Sequence, residues 1–261
     1  MADREARHGD FAQEGASPRA SIRHRLSSTW RRALIKIEAS DAQRGAWKAM
    51  ASQLIYFSDP MCSWCWGFSP VIAEVQARFG AALPIRLVMG GLRPGTTTPM
   101  TAEAQAELRG HWRHVTEASG QPFGEHALAT PGFVYDTDPA ARAVVLVREF
   151  APQKALAFLA RLQEAFYVEG ADVTDVKVLA DFAEAFGLDR ESFAAAMEAD
   201  EAKQAAWRDY AISQKAGVTG FPTLVMGPRA DGAYVPITRG FAPTETVLST
   251  IGGLMEVLGT A

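Results

Sequence analysis

A chain of 261 residues, 48% hydrophobic and 21% charged, is long enough for one large domain or for a domain carrying an insertion. Its net charge of −4 is unevenly spread: residues 1–49 hold ten Lys/Arg and six Asp/Glu, a net of +4, which leaves −8 for the remainder. An acidic body argues against a nucleic-acid partner, and no apolar run approaches the ~18 residues that a membrane span requires.

Residues 1–49 are rich in Arg, Ser, Ala and Gly and carry no hydrophobic periodicity through Thr29. A secretory signal needs an apolar stretch of roughly 7–15 residues. The best candidate, Ala33-Leu34-Ile35, is interrupted at once by Lys36, and Asp3, Glu5, Asp10 and Glu14 speak against a basic transit peptide. The expectation is a disordered extension over 1–49, with Met50 as an alternative start and the cytoplasm as the compartment.

The ordered pattern begins at Gln53-Leu54-Ile55-Tyr56-Phe57, an apolar run suited to a buried central strand. A helix is expected from about Cys62 to Phe79, ended by Gly80 and kinked at Pro70. Pro84 to Met89 reads as a second strand closed by Gly90-Gly91, which makes a βαβ unit. From Thr101 to Ala216 the signals are helical. Thr101 to Ser119 ends at Gly120; Asp138 reads as a cap, with Pro139 first in a helix to Phe150; Leu156, Leu159, Leu162 and Phe166 share a face. Thr174 and Asp189 read as further N-caps with Gly187 between them, and Lys203 to Lys215 ends at Gly217. Strand signals return at Phe221–Met226 and Tyr234–Ile237 around the turn residues Asp231-Gly232. A final amphipathic helix carries Val247, Leu248, Ile251, Leu254, Met255 and Leu258.

The only two cysteines, Cys62 and Cys65, form one Cys-x-x-Cys at the start of the first helix. A structural zinc site takes four protein ligands, and this chain has no third cysteine. His111 and His114 lie on a polar helical stretch with Arg109 and Arg113, so no metal is expected. A static staple across so short a loop removes little chain entropy. Redox chemistry remains: at a helix N-terminus, unpaired N–H groups and the helix dipole stabilise a thiolate.

The order β, α, β, helical insertion, β-hairpin, α is that of a split thioredoxin fold. Together with Asp59-Pro60-Met61-Cys62-Ser63-Trp64-Cys65-Trp66, Gly90-Gly91-Leu92-Arg93-Pro94-Gly95 and Val218-Thr219-Gly220-Phe221-Pro222-Thr223, the chain resembles the DsbA family of thiol–disulfide oxidoreductases over about residues 52–258, most closely its FrnE-like cytosolic branch. The resemblance implies an α/β thioredoxin fold with a large inserted all-helical domain. The thioredoxin-like part would be 50–98 and 217–261, and the insertion 99–216. It further implies that Pro222 is cis and packs against the cysteine pair, with the backbone of Phe221 free to pair with an extended substrate.

On this reading Cys62 attacks a substrate disulfide and Cys65 resolves the mixed disulfide. Ser63 and Trp64 tune the thiolate, and Trp64, Phe221 and Pro222 contact substrate. Trp64 stands where periplasmic DsbA has a histidine, which predicts a less oxidising disulfide. Trp64, Trp66 and Phe68 are candidates for an apolar rim. Asp59 reads as a turn residue first and a proton relay to Cys65 second. Trp112, Phe166 and Tyr167 read as core. The partners expected are protein or small-molecule thiols and disulfides, with glutathione as a co-substrate and no other cofactor. Two other functions stay open: a glutathione-dependent isomerase or transferase of the 2-hydroxychromene-2-carboxylate isomerase or kappa type, in which serine usually replaces Cys62, and a non-catalytic protease adaptor. Substrate, direction of electron flow and oligomeric state have no motif of their own.

Overall fold

The computed structural model describes residues 52–124, 128, 130–229 and 231–258. The expectations for residues 1–49 and Met50 lie outside the described residues. Strand β1 (Gln53–Ser58) is buried from its second residue onward, as an apolar run between two layers of helix must be. It lies between β2 (Ile85–Met89), which runs parallel to it, and the antiparallel β3 (Thr223–Gly227); β4 (Val235–Arg239) closes the far edge, giving the order β2-β1-β3-β4. Leu54 is paired with Ile85 on one side and Met226 on the other, and Phe57 with Val88 and Thr223. The two-residue period then sorts the side chains. Ile55, Phe57, Val88 and Val225 join one core cluster with Ala216 and Phe221, while Tyr56 turns to the opposite face, its ring 5.9 Å from Phe68.

Phe68 belongs to α1 (Ser63–Phe79), which packs with the C-terminal helix α8 (Thr244–Leu258). Between β2 and β3 the elements among the described residues are all helical: α2 (Ala102–Ser119), α3 (Asp138–Phe150), a 3-10 turn (Pro152–Lys154), α4 (Ala155–Glu164) running into a π turn (Ala165–Glu169), α5 (Val176–Ala185), α6 (Arg190–Glu198) and α7 (Asp200–Lys215). Thr101 caps α2, accepting from Ala104 N, and Asp189 caps α6. Two caps fall one residue from their expected places. Thr137, not Asp138, precedes α3, because the Asp138 carboxylate accepts from the Tyr210 hydroxyl and pairs with Arg142. Asp175, not Thr174, caps α5, because the Thr174 hydroxyl donates to Asp172. Helix α7 begins three residues before Lys203, and Leu156 is half-buried while Phe158 takes the core position.

These helices are built onto the sheet. Residues 87 and 89 of β2 point their backbone groups away from β1, the side on which an edge strand is open to pairing with another chain. Here Arg148 of α3 donates to Leu87 O at 2.7 Å and Asp209 of α7 accepts from Met89 N at 2.8 Å. The two side chains also form a two-pronged ion pair of 2.6 and 3.1 Å. A second dock is made at Pro70, which lies inside α1 without ending it. Proline cannot donate to the carbonyl four residues back. The Trp66 carbonyl instead accepts from Gln121 Nε2 at 3.3 Å, an amide that also reaches Ser69 Oγ at 2.9 Å.

Asp209 is 5% exposed, and removing one partner of a buried pair strands the other. Asp209→Ala is therefore expected to lower the free energy of unfolding by about 3 kcal/mol, read from urea titration. A loss indistinguishable from that of an exposed surface carboxylate would contradict the edge-capping role.

Candidate active site

Cys62 occupies the N-cap position of α1, with extended backbone angles, and its carbonyl accepts from Trp66 N at 3.0 Å. Its side chain does not cap the helix; the thiol donates instead to the Phe221 carbonyl across the chain, at 3.6 Å. The Phe221–Pro222 peptide is cis, as the resemblance implied. Both thiols are free, Cys62 being 6% exposed and Cys65 not at all. Burial pushes the Cys65 thiol well up, and the hydrogen bond and charge of Cys62 push it further; the Ser58 hydroxyl and the Asp59 N–H pull it back. The buried thiol is thus held neutral, while the thiol at the helix start has the exposed edge.

Cys62 opens into a cleft of about 220 Å³ lined by Met61, Ser63, Trp64, Leu92, Arg93 and Tyr135, among others. His111 of α2 stands on its rim, its ring 5.8 Å from Trp64 edge to face. The Arg93 guanidinium lies 5.3 Å from the centre of the Tyr135 ring, a cation over an aromatic face. The Tyr135 hydroxyl donates to Met61 O, immediately before Cys62, and lies 3.3 Å from the Tyr167 hydroxyl. Tyr167 comes from the π turn and stacks on Trp66, so the helical segment supports the cysteine loop from beneath.

Asp59 joins the two walls of the cleft. Its carboxylate accepts from Met61 N at 2.9 Å and from Leu92 N at 2.8 Å. The first bond is the turn role expected of it. The second reading, a relay to Cys65, has no direct contact to support it: the two carboxylate oxygens accept from those two N–H groups, and it is the backbone of Asp59 that acts on Cys65. Burial pushes the Asp59 carboxyl up to about 6, against the pull of the Leu92 and Met61 N–H groups and the Thr137 hydroxyl. Glycine is required opposite Phe221, since a Cβ on Gly90 would lie 2.2 Å from its ring.

Of the residues singled out from sequence, Cys62, Ser63, Trp64 and Phe221 line this cleft, with Cys65 beneath them. The proposed aromatic rim shrinks to Trp64. Trp66 is buried on Tyr167 and donates to Pro122 O, and Phe68 is buried against Tyr56 and Phe241. Nor is the Phe221 backbone wholly free, since its carbonyl is engaged by the Cys62 thiol. Sequence reasoning passed over Tyr135, which lies between helices without a periodic pattern, and Ser58, which reads only as a strand end. Among the described residues no group of three or more His, Cys, Asp or Glu side chains converges, and no helix is long and apolar enough to cross a membrane.

A dithiol at a helix start beside a cis-proline loop, on a sheet of this order, defines a thioredoxin-fold protein. A family model described as Thioredoxin matches residues 56–235, and the chain belongs to that family. A Nitrosomonas europaea structure described as a candidate protein disulfide isomerase shares 36% identity with a TM-score of 0.73, over 80% of this chain and 99% of that one. The cytosolic disulfide reductase DsbM of Pseudomonas aeruginosa, also solved with GSH, shares 27% at a TM-score of 0.64, over 78% and 99%. Curated relatives carry another name. The ClpXP adapter protein SpxH of Shouchella clausii is 24% identical over 223 residues, 79% of this chain and 73% of the relative, and that of Bacillus subtilis is 25% identical over 200 residues, 75% and 66%.

Because its folded carboxyl titrates at about 6 rather than near 3.8, Asp59 holds its proton more tightly folded than unfolded. Its contribution to stability is full below about pH 4 and is lost as pH rises through about 6. Urea titrations across that window are expected to show the wild type losing stability relative to Asp59→Asn; parallel pH profiles would rule the assignment out.

Proposed function

We propose that this chain is a thiol–disulfide oxidoreductase acting through Cys62 and Cys65. The observation that carries the reading is the division of labour between the two thiols. One sits at a helix start on the floor of an open cleft, and the other is sealed beneath it. In the forward reaction Cys62 Sγ attacks one sulfur of a substrate disulfide, forming a mixed disulfide and releasing one substrate thiol. Cys65 Sγ then attacks Cys62 Sγ, the bond to substrate breaks, and the second thiol leaves as the Cys62–Cys65 disulfide closes. Two electrons pass to the substrate. Ser63 and Trp64, between the sulfurs, tune the first thiolate, and Trp64, Phe221 and Pro222 flank the incoming chain. In a cytosolic setting, which the likeness to DsbM supports, reduction or isomerisation is favoured over net oxidation. The FrnE-like placement belongs to the same reading.

Glutathione is the small co-substrate we favour. DsbM has been solved with GSH, and here the Arg93 guanidinium, which forms no ion pair among the described residues, stands in the Cys62 cleft where a carboxylate would meet it. With Arg93→Met the loss of kcat/KM should be about fivefold greater for glutathione disulfide than for uncharged hydroxyethyl disulfide. Equal losses would remove the guanidinium from recognition.

The SpxH relatives favour a second reading, an adapter that presents a client to a protease without using its thiols. Two measurements separate the readings. Reduced wild type should reduce insulin, and Cys65→Ala should accumulate mixed disulfides that Cys62→Ala does not. Neither insulin reduction nor trapped disulfide, with biological activity kept by Cys62→Ala/Cys65→Ala, would favour the adapter.

A further inference from the structure

Ser58 ends β1 with a fully buried side chain whose Oγ has no hydrogen-bond partner among the described residues. Buried hydroxyls are normally paired, and leaving one unpaired is destabilising. Residues 56 and 58 share a face of β1, and that face meets α1 where Tyr56 touches Phe68, three residues after Cys65. On the same face the Ser58 hydroxyl acts on the Cys65 sulfur in the direction that favours its thiolate. The Asp59 carboxylate, the nearest acid along the chain, is committed to Met61 and Leu92.

We propose that Ser58 is a positioning residue for the second half of the reaction: its hydroxyl, idle beside the neutral Cys65 thiol, donates to the Cys65 thiolate as that charge forms and so speeds resolution of the mixed disulfide. The inference rests on the oxidoreductase reading above. A thiol is a weak acceptor and a thiolate a strong one, so the bond is made only as the reaction proceeds, which is the condition for an interaction to lower a barrier. The step balances without any further reagent. The proton leaving Cys65 ends on the departing substrate thiolate, Cys65 Sγ bonds to Cys62 Sγ, and the bond from Cys62 to the substrate sulfur breaks. The other groups acting on Cys65 are Cys62, from the start of its own helix, and the backbone N–H of Asp59. Tyr56, on the same strand face, is acted on by both Ser58 and Cys65, and burial holds its phenol well above its ordinary range, so it stays neutral.

The test uses the reduced full-length protein and dithiobis(nitrobenzoate), whose coloured thiolate is released once on capture by Cys62 and again on resolution by Cys65. Stopped-flow traces of Ser58→Ala should show capture at the wild-type rate and resolution slowed about tenfold or more, with Ser58→Thr, which keeps the hydroxyl, restoring most of it. Thermal melting should show Ser58→Ala no less stable than wild type, since it deletes an unpaired buried hydroxyl. Resolution within about twofold of wild type in Ser58→Ala would overturn the proposal. So would a parallel fall of capture, resolution and stability in both Ser58→Ala and Ser58→Gly, the mark of a structural role. Absence of any release by the wild type would instead overturn the oxidoreductase reading on which the proposal stands.

Discussion

The site depends on the way two charged side chains finish the open edge of the sheet. Arg148 and Asp209 do for β2 what a fifth strand would do, accepting from and donating to the backbone groups that face away from β1. Because they also pair with each other, neither is left as a lone charge in the interior. The next residue of α7 continues the work, since the Tyr210 ring packs where a side chain on Gly91 would lie, and Gly91 has the positive φ that lets the chain turn there. One turn of helix thus fixes the end of β2, the end of β2 fixes Leu92, and Leu92 meets the carboxylate that also holds the cysteine loop. The helical segment is therefore part of the wall of the cleft.

Much of this was legible in the chain. The apolar run Leu54–Phe57 suits a strand covered on both faces, and the two-cysteine motif could be placed because a strand precedes it and a helix follows. Boundaries set by local hydrogen bonding were less legible. Asp138 has every attribute of a cap, yet its carboxylate is drawn away by Tyr210 from a helix more than seventy residues further on, and no local pattern announces that. Arg148 and Asp209 look like solvated charges on amphipathic helices until the sheet edge is in place. The aromatic residues around the motif illustrate the same limit: Trp64 and Trp66 are neighbours in sequence, but one faces the cleft and the other is stacked under it on Tyr167. Which residue does which follows from where α2 and the π turn settle.

The two kinds of relative need not be in conflict. A mixed disulfide is itself a way of holding a client, and a cleft that positions one sulfur while sealing the other serves capture as well as turnover. What distinguishes a catalyst from a holder is the speed of the second displacement, in which Cys65 is the attacking thiol and its environment sets how readily the thiolate forms. The groups of β1 and the first turn of α1 that surround Cys65 therefore bear directly on the difference between the two roles.

Pro70 bears on how such a fold can be taken apart. The carbonyl it leaves open is filled by an amide from the segment that follows α2. The cysteine-bearing helix is thus chemically incomplete on its own: one rung of its ladder is supplied from more than fifty residues away. A split fold written as core, insertion, core suggests a detachable module, but this helix has made the insertion an internal component of its own hydrogen bonding. A minimal version built by joining the strands directly would inherit a helix with a missing rung, and the loss would fall one turn beyond the reactive sulfurs.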